Sequence, residues 1–163
     1  MAAVEPAALW AAAQATRLSD TGRLGRLVRS RIPGLRPNLT YDAMFRSAPF
    51  TVLQESDHAL LSGLVGRIWT LRRDYPMLAE AEAFREWSER GTVKVLFANW
   101  VEPVDGGRAV LVSETRVAAV DRWSLIGLAA VRPLIVSSHR LISSDAFDTA
   151  LRRAQDGAGP RAR

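Results

Sequence analysis

TVKVLFANWVEPVDGGRAVLVSETRVAAV, residues 92–120, is the stretch whose reading decides the fold. Thr92 to Val104 and Arg108 to Val120 are two runs of strand-forming residues flanking Asp105-Gly106-Gly107, a strong short-range signal for an antiparallel hairpin. Side chains alternate across a strand, so the first run divides into two rows. Val93, Val95, Phe97, Asn99 and Val101 form one; Thr92, Lys94, Leu96, Ala98, Trp100 and Glu102 form the other. The charged ends mark the second row as the solvent side, which turns the first inward. With Gly106-Gly107 as a two-residue loop, Asn99 lies opposite Glu114 and Phe97 opposite Arg116. Glu114 and Arg116 then point inward with Val110, Val112, Ala118 and Val120. A buried charge is costly unless paired, so the two are expected to bond each other, Asn99, or Arg67 arriving from the neighbouring strand. The competing readings are a purely structural ion pair, or an odd-length loop that turns both charges outward.

Upstream of the hairpin, Phe50 to Gln54 is extended, Ser56-Asp57-His58 turns, and Ala59 to Thr70 reads as a long apolar strand broken by Gly63 and Gly66. Glycine inside a strand marks a bulge, a bend, or a place where something packs closely on the sheet. A helix is predicted over Leu78 to Trp87, stopped at Gly91. Two short helices come first: Pro6 to Ala15, with proline in its first turn, and a second from the cap Ser19 or Asp20 to about Ile32, ended by Pro33-Gly34. Thr40 caps one further turn through Phe45. Asp121 caps a long C-terminal helical region in which Val131, Ile135, Ile142, Ala146 and Ala150 share a stripe and Pro133 divides the run. The expected organisation is one domain over residues 1–155 with a disordered tail at 156–163.

With 163 residues, 48% hydrophobic and 24% charged, the chain is long and apolar enough for one packed core, which argues against intrinsic disorder. It has no cysteine, so disulfides, thiolate nucleophiles and cysteine-based metal sites are excluded, in keeping with a cytoplasmic location. The formal charge is +5, but the basic residues are almost all arginine and dispersed. Arg23, Arg26, Arg29 and Arg31 are the densest group and read as a solvated helix face, so no nucleic-acid partner is expected. Leu125 to Val136, the longest apolar stretch, is interrupted by Arg132 and Pro133 and falls short of a membrane span.

Catalytic motifs are absent from the sequence. His58 and His139 have no second ligand at metal spacing, so no metal or other cofactor is expected and neither histidine is assigned a function. Ser137, Ser138 and His139 are consecutive and project in different directions, and no nucleophile elbow accompanies them. Gly63-Leu64-Val65-Gly66 lies in an apolar strand and lacks the lysine or third glycine of a phosphate cradle.

The order of elements, together with Pro6-Ala7-Ala8-Leu9-Trp10-Ala11-Ala12, Gly63-Leu64-Val65-Gly66-Arg67-Ile68-Trp69, Phe84 before Gly91, and Ser113-Glu114-Thr115-Arg116-Val117 followed by Asp121, resembles the START-like (SRPBCC, helix-grip) superfamily of lipid-transfer domains and polyketide cyclases. The resemblance runs from Pro6 to Ala154 and is closest to an uncharacterised bacterial branch. It implies an α+β helix-grip fold, in which a curved antiparallel sheet wraps a long C-terminal helix around a hydrophobic cavity. Such domains begin with a strand, which is expected to be truncated here, since only Met1 to Glu5 precede Pro6. A sheet edge left unpaired in this way is expected to favour self-association. The expected function is binding of a hydrophobic or amphipathic small molecule. Arg67, Asn99, Glu114 and Arg116 form the polar cluster, Trp69, Phe97, Val112 and Ile135 line the pocket, and no catalytic residue is assigned. The alternative is a polyketide cyclase or dehydratase using the same polar groups.

Overall fold

The computed structural model describes residues 5–17, 38–70, 75–104 and 108–130. They form an α+β arrangement in which a four-stranded antiparallel sheet of order β1-β2-β3-β4 carries helices on both faces. In chain order the elements are α1 (Pro6–Ala15), α2 (Tyr41–Phe45), β1 (Thr51–Ser56), β2 (Ala59–Gly66), α3 (Ala81–Glu86), β3 (Val93–Val104), β4 (Arg108–Ala119) and a helical segment, α4, over residues 122–130. The strand after the first turn ends at Gly66, short of the expected Thr70, and the middle helix is confined to Ala81–Glu86. Gly66 takes φ 139°, a conformation that favours glycine, and so ends the strand where the chain leaves the sheet. The expected helix near 19–32, the C-terminal stripe from Val131 onward and the tail at 156–163 lie outside the described residues.

The inner face of the sheet holds the core. Leu60 and Leu64 of β2 and Val93, Val95 and Val101 of β3 are buried against Leu9 and Trp10 of α1, Met44 and Phe45 of α2, and Phe50. The row of β3 expected to face inward does so. Four aromatic rings seat α2 on the sheet, with the Phe45 ring centroid 4.8 Å from Tyr41, 5.1 Å from Phe50 and 5.3 Å from Phe97. Thr40 caps α2 by accepting from Ala43 N at 3.2 Å, as expected. The start of α2 is also tied to the end of α1, because Tyr41 N donates to Thr16 O at 2.7 Å. Arg46, at its other end, bonds Asp42 and Glu55 and pins the helix to β1.

On the outer face α3 lays Phe84 over Gly63. A Cβ at position 63 would lie 2.6 Å from two Phe84 ring carbons and 3.0 Å from Leu53 Cδ1, so this glycine marks a close approach, one of the readings its place in the strand allowed. Lys94 secures the same helix, donating from Nζ to Arg85 O at 2.6 Å.

Asp121 caps α4 as the sequence predicts: its carboxylate accepts from Ser124 N at 2.8 Å and from Ser124 Oγ at 2.7 Å. It also accepts from Gly91 N at 3.0 Å, joining this helix to the turn before β3. The hydrogen bonds from the Ser124 side chain and backbone hold the carboxyl down at about 2. A depressed carboxyl stabilises the fold above its unfolded pKa, and that contribution disappears as pH falls from about 4 through about 2. Asp121→Asn is therefore expected to lower the melting temperature at neutral pH and to narrow its gap from wild type as the pH reaches that window. A gap that is constant with pH would refute the assignment.

Candidate functional site

One residue places the polar cluster. Asn99 sits in the middle of the inner row of β3, only 4% exposed, opposite Leu60 on one side and Ser113 on the other. Its Oδ1 accepts from Ser113 Oγ at 2.8 Å and from the Tyr41 hydroxyl at 3.1 Å. Its Nδ2 is buried and has no hydrogen-bond partner among the described residues. Ser62 Oγ, on the same face one pair along β2, is likewise buried and without a partner there. Each such group costs about 1–3 kcal/mol relative to a satisfied one. A crevice of about 10 Å³ adjoins the amide, bounded by Trp10, Ala13, Tyr41, Phe45, Leu60 and Leu111. That is room for about one water molecule between α1, α2 and the sheet.

Burial pushes the Tyr41 hydroxyl above its ordinary pKa, and the neighbouring Ser113 hydroxyl opposes the shift. The phenol is therefore a protonated donor at neutral pH, not a base. Asp42, at the rim of the crevice, is occupied by Arg46 at 2.8 Å and by Gln14 at 3.3 Å. The cluster holds donors and acceptors in fixed positions, and among the described residues no histidine or lysine is part of it.

The hairpin register corrects the rest of the expected cluster. β3 and β4 pair with Val104 opposite Arg108, so an odd number of residues, 105–107, lies between them. This shifts β4 by one position from the two-residue reading, and a one-residue shift exchanges the faces of a strand. Glu114 therefore stands opposite Ala98 and Arg116 opposite Leu96, both on the outer face, where they pair with each other at 2.6 Å. Their side chains are 41% and 71% exposed, so they are not buried charges. Val112 moves outward with them and lies opposite Trp100. Arg67 is also exposed and donates to Gly91 O, far from any role beside Asn99. Phe97 is on the inner face as expected, and Trp69 packs against the core and against Gly127 of α4. Ile135 and His139 lie outside the described residues; His58 is in the β1–β2 turn, where its carbonyl accepts from Val101 N.

Sequence reasoning missed Tyr41 and Ser113. Ser113 was recoverable from a three-residue loop at Asp105-Gly106-Gly107, which sets it opposite Asn99. Tyr41 had no signal, because it arrives from a helix far away in the chain.

A second concavity, of about 210 Å³, lies on the outer face between Gln54, Ser56, Ala59, Leu61, Ala98 and Trp100. It is smaller than ordinary small-molecule pockets of roughly 300–1,000 Å³. Among the described residues no group of three or more metal-ligating side chains converges, and no helix is long and apolar enough to cross a membrane. No family model, curated protein or solved structure matches the chain.

Proposed function

We propose that the protein binds a small amphipathic molecule against the inner face of its sheet, with the polar end held by Asn99, Tyr41 and Ser113. The observation that carries this reading is the unsatisfied Asn99 amide: a buried donor pair at the centre of an apolar floor, fixed by two hydrogen bonds to its oxygen. A carbonyl, carboxylate or sulfonate oxygen of the bound molecule would accept from Nδ2 and offset its desolvation. The helix-grip resemblance supports ligand binding against the sheet, but the cavity it implies lies between the sheet and the C-terminal helix, whose residues from 131 onward lie outside the described ones.

Binding requires α1 to lift from the sheet, because the crevice beside Asn99 is water-sized. Lifting α1 uncovers Leu9 and Trp10 and strains the 2.7 Å bond from Tyr41 N to Thr16 O, losses that burial of the ligand must offset. Otherwise α1 is mostly alanine, Glu5 provides no side-chain cap, and its side-chain ties to α2 include the long Gln14–Asp42 bond. A carrier or sensor is favoured over the cyclase or dehydratase alternative because, among the described residues, the cluster offers a protonated phenol, a hydroxyl and an amide, and the one carboxylate at its rim, Asp42, is engaged by Arg46 and Gln14.

Native mass spectrometry of protein purified without detergent, together with titration by an anilinonaphthalene sulfonate, tests the reading. Wild type is expected to retain a small molecule or to bind the dye, and Asn99→Leu to lose at least ten-fold in affinity, about 1.4 kcal/mol. That variant should lose about 1–3 kcal/mol of stability, because removing one orphaned amide offsets only one of the two hydroxyls, Tyr41 and Ser113, that it leaves unpaired. Circular dichroism therefore verifies that it is folded before affinities are compared. Equal dye affinity in both proteins would overturn the site.

A further inference from the structure

The two edges of the sheet differ. β1 is short, carries an irregularity between Val52 and Gln54, and ends in Gln54-Glu55-Ser56, features that blunt an edge against pairing. β4 spans 12 residues in unbroken register with β3 and contains neither proline nor bulge. Among the described residues no strand pairs with its other side.

The chemistry of β4 and the residue after it, Val110 to Val120, is self-complementary when the strand is laid antiparallel on a copy of itself. A two-fold axis perpendicular to the sheet keeps the helical layers of both copies on one side, which restricts the pairing to registers centred on a single residue. Centring on Glu114 or on Arg116 sets like charges against each other. Centring on Thr115 sets Glu114 against Arg116 of the second copy and Arg116 against its Glu114, twice over by symmetry. The same register places Val112 opposite Ala118 and Val110 opposite Val120 on the outer face, and Leu111 opposite Ala119, Ser113 opposite Val117 and Thr115 opposite its own copy on the inner face. Within one chain Glu114 and Arg116 already pair at 2.6 Å, and their exposure on the outer face lets each also meet the opposite charge of an adjoining strand.

We propose that this protein forms a two-fold homodimer in which β4 pairs antiparallel with β4 of a second copy about Thr115, joining the two sheets into one, with reciprocal Glu114–Arg116 pairs fixing the register. The occupant of the edge is a second copy because the strand's charge pattern matches its own reverse. This inference is independent of the ligand site, which lies on the inner face around Asn99.

The test uses the full chain in sedimentation equilibrium up to hundreds of micromolar, with circular dichroism to verify folding. Wild type is expected to dimerise. Glu114→Arg sets arginine against Arg116 and Arg116→Glu sets glutamate against Glu114, so each variant alone is expected to dimerise at least ten-fold more weakly. An equimolar mixture of the two should recover dimers, since the heterodimer pairs every glutamate with an arginine. Because the chain contains no cysteine, Thr115→Cys adds a register readout: mild oxidation should cross-link it, whereas Ala118→Cys, offset from its own copy, should not cross-link. A monomeric wild type overturns the proposal, as do single reversals that dimerise like wild type or a mixture that fails to recover. Failure of dye binding in the Asn99 experiment would leave these results unaffected.

Discussion

Truncating Phe45 to alanine is expected to lower the unfolding free energy by about 3–5 kcal/mol. Phe45 is 4% exposed and is the ring through which the small helix α2 meets the sheet, in contact with Tyr41, Phe50 and Phe97 at once. Removing it deletes the transfer energy of the ring and leaves a cavity that five residues of helix are too short to collapse around. A domain of this kind has only about 5–15 kcal/mol in total, so the variant should sit near the edge of folding at 37 °C. Chemical denaturation provides the measurement, and a loss under about 1 kcal/mol would show that α2 is not seated as described. The substitution has a second consequence. Phe45 lines the crevice beside Asn99, so Phe45→Leu, which keeps most of the packing, should enlarge that crevice and strengthen dye binding while wild-type folding is retained.

The second large effect is expected at Gly63. An added Cβ would fall 2.6 Å from the Phe84 ring, closer than carbon atoms approach, so Gly63→Ala must push α3 off the outer face or force Phe84 from its rotamer. Overpacking of this sort costs about 1–3 kcal/mol. The coupling is the decisive quantity. In a Phe84→Ala background the same glycine substitution should become nearly neutral, because the new methyl fills part of the space the ring vacates. A double-mutant cycle that returns additive losses would mean that the two residues do not touch. Lys94, which donates to the Arg85 carbonyl and lies 5.8 Å from the centroid of the Phe84 ring, should hold the helix in place in either background.

The inward row of β3 was legible in the sequence because strand alternation is local: each side chain's face follows from its neighbours two residues away, and the charges at Lys94 and Glu102 mark which face is wet. The caps at Thr40 and Asp121 were legible for the same reason, since a side chain capping a backbone amide a few residues on needs no tertiary partner. The expected inward cluster of Glu114 and Arg116 depended on the loop at 105–107, where one residue more or less reverses a whole strand. The sequence offers glycines there that serve either length.

Local alternation and capping determined by themselves that this chain builds antiparallel strands with an apolar face, and that Asn99 is a polar residue within that face. Tertiary structure decided what Asn99 meets. Its partners come from the register of β4 and from α2, whose Tyr41 lies 58 positions earlier in the chain. Contacts at that separation are set by how helices and sheet pack together, and packing sums many weak, non-directional contributions that no single stretch of sequence encodes.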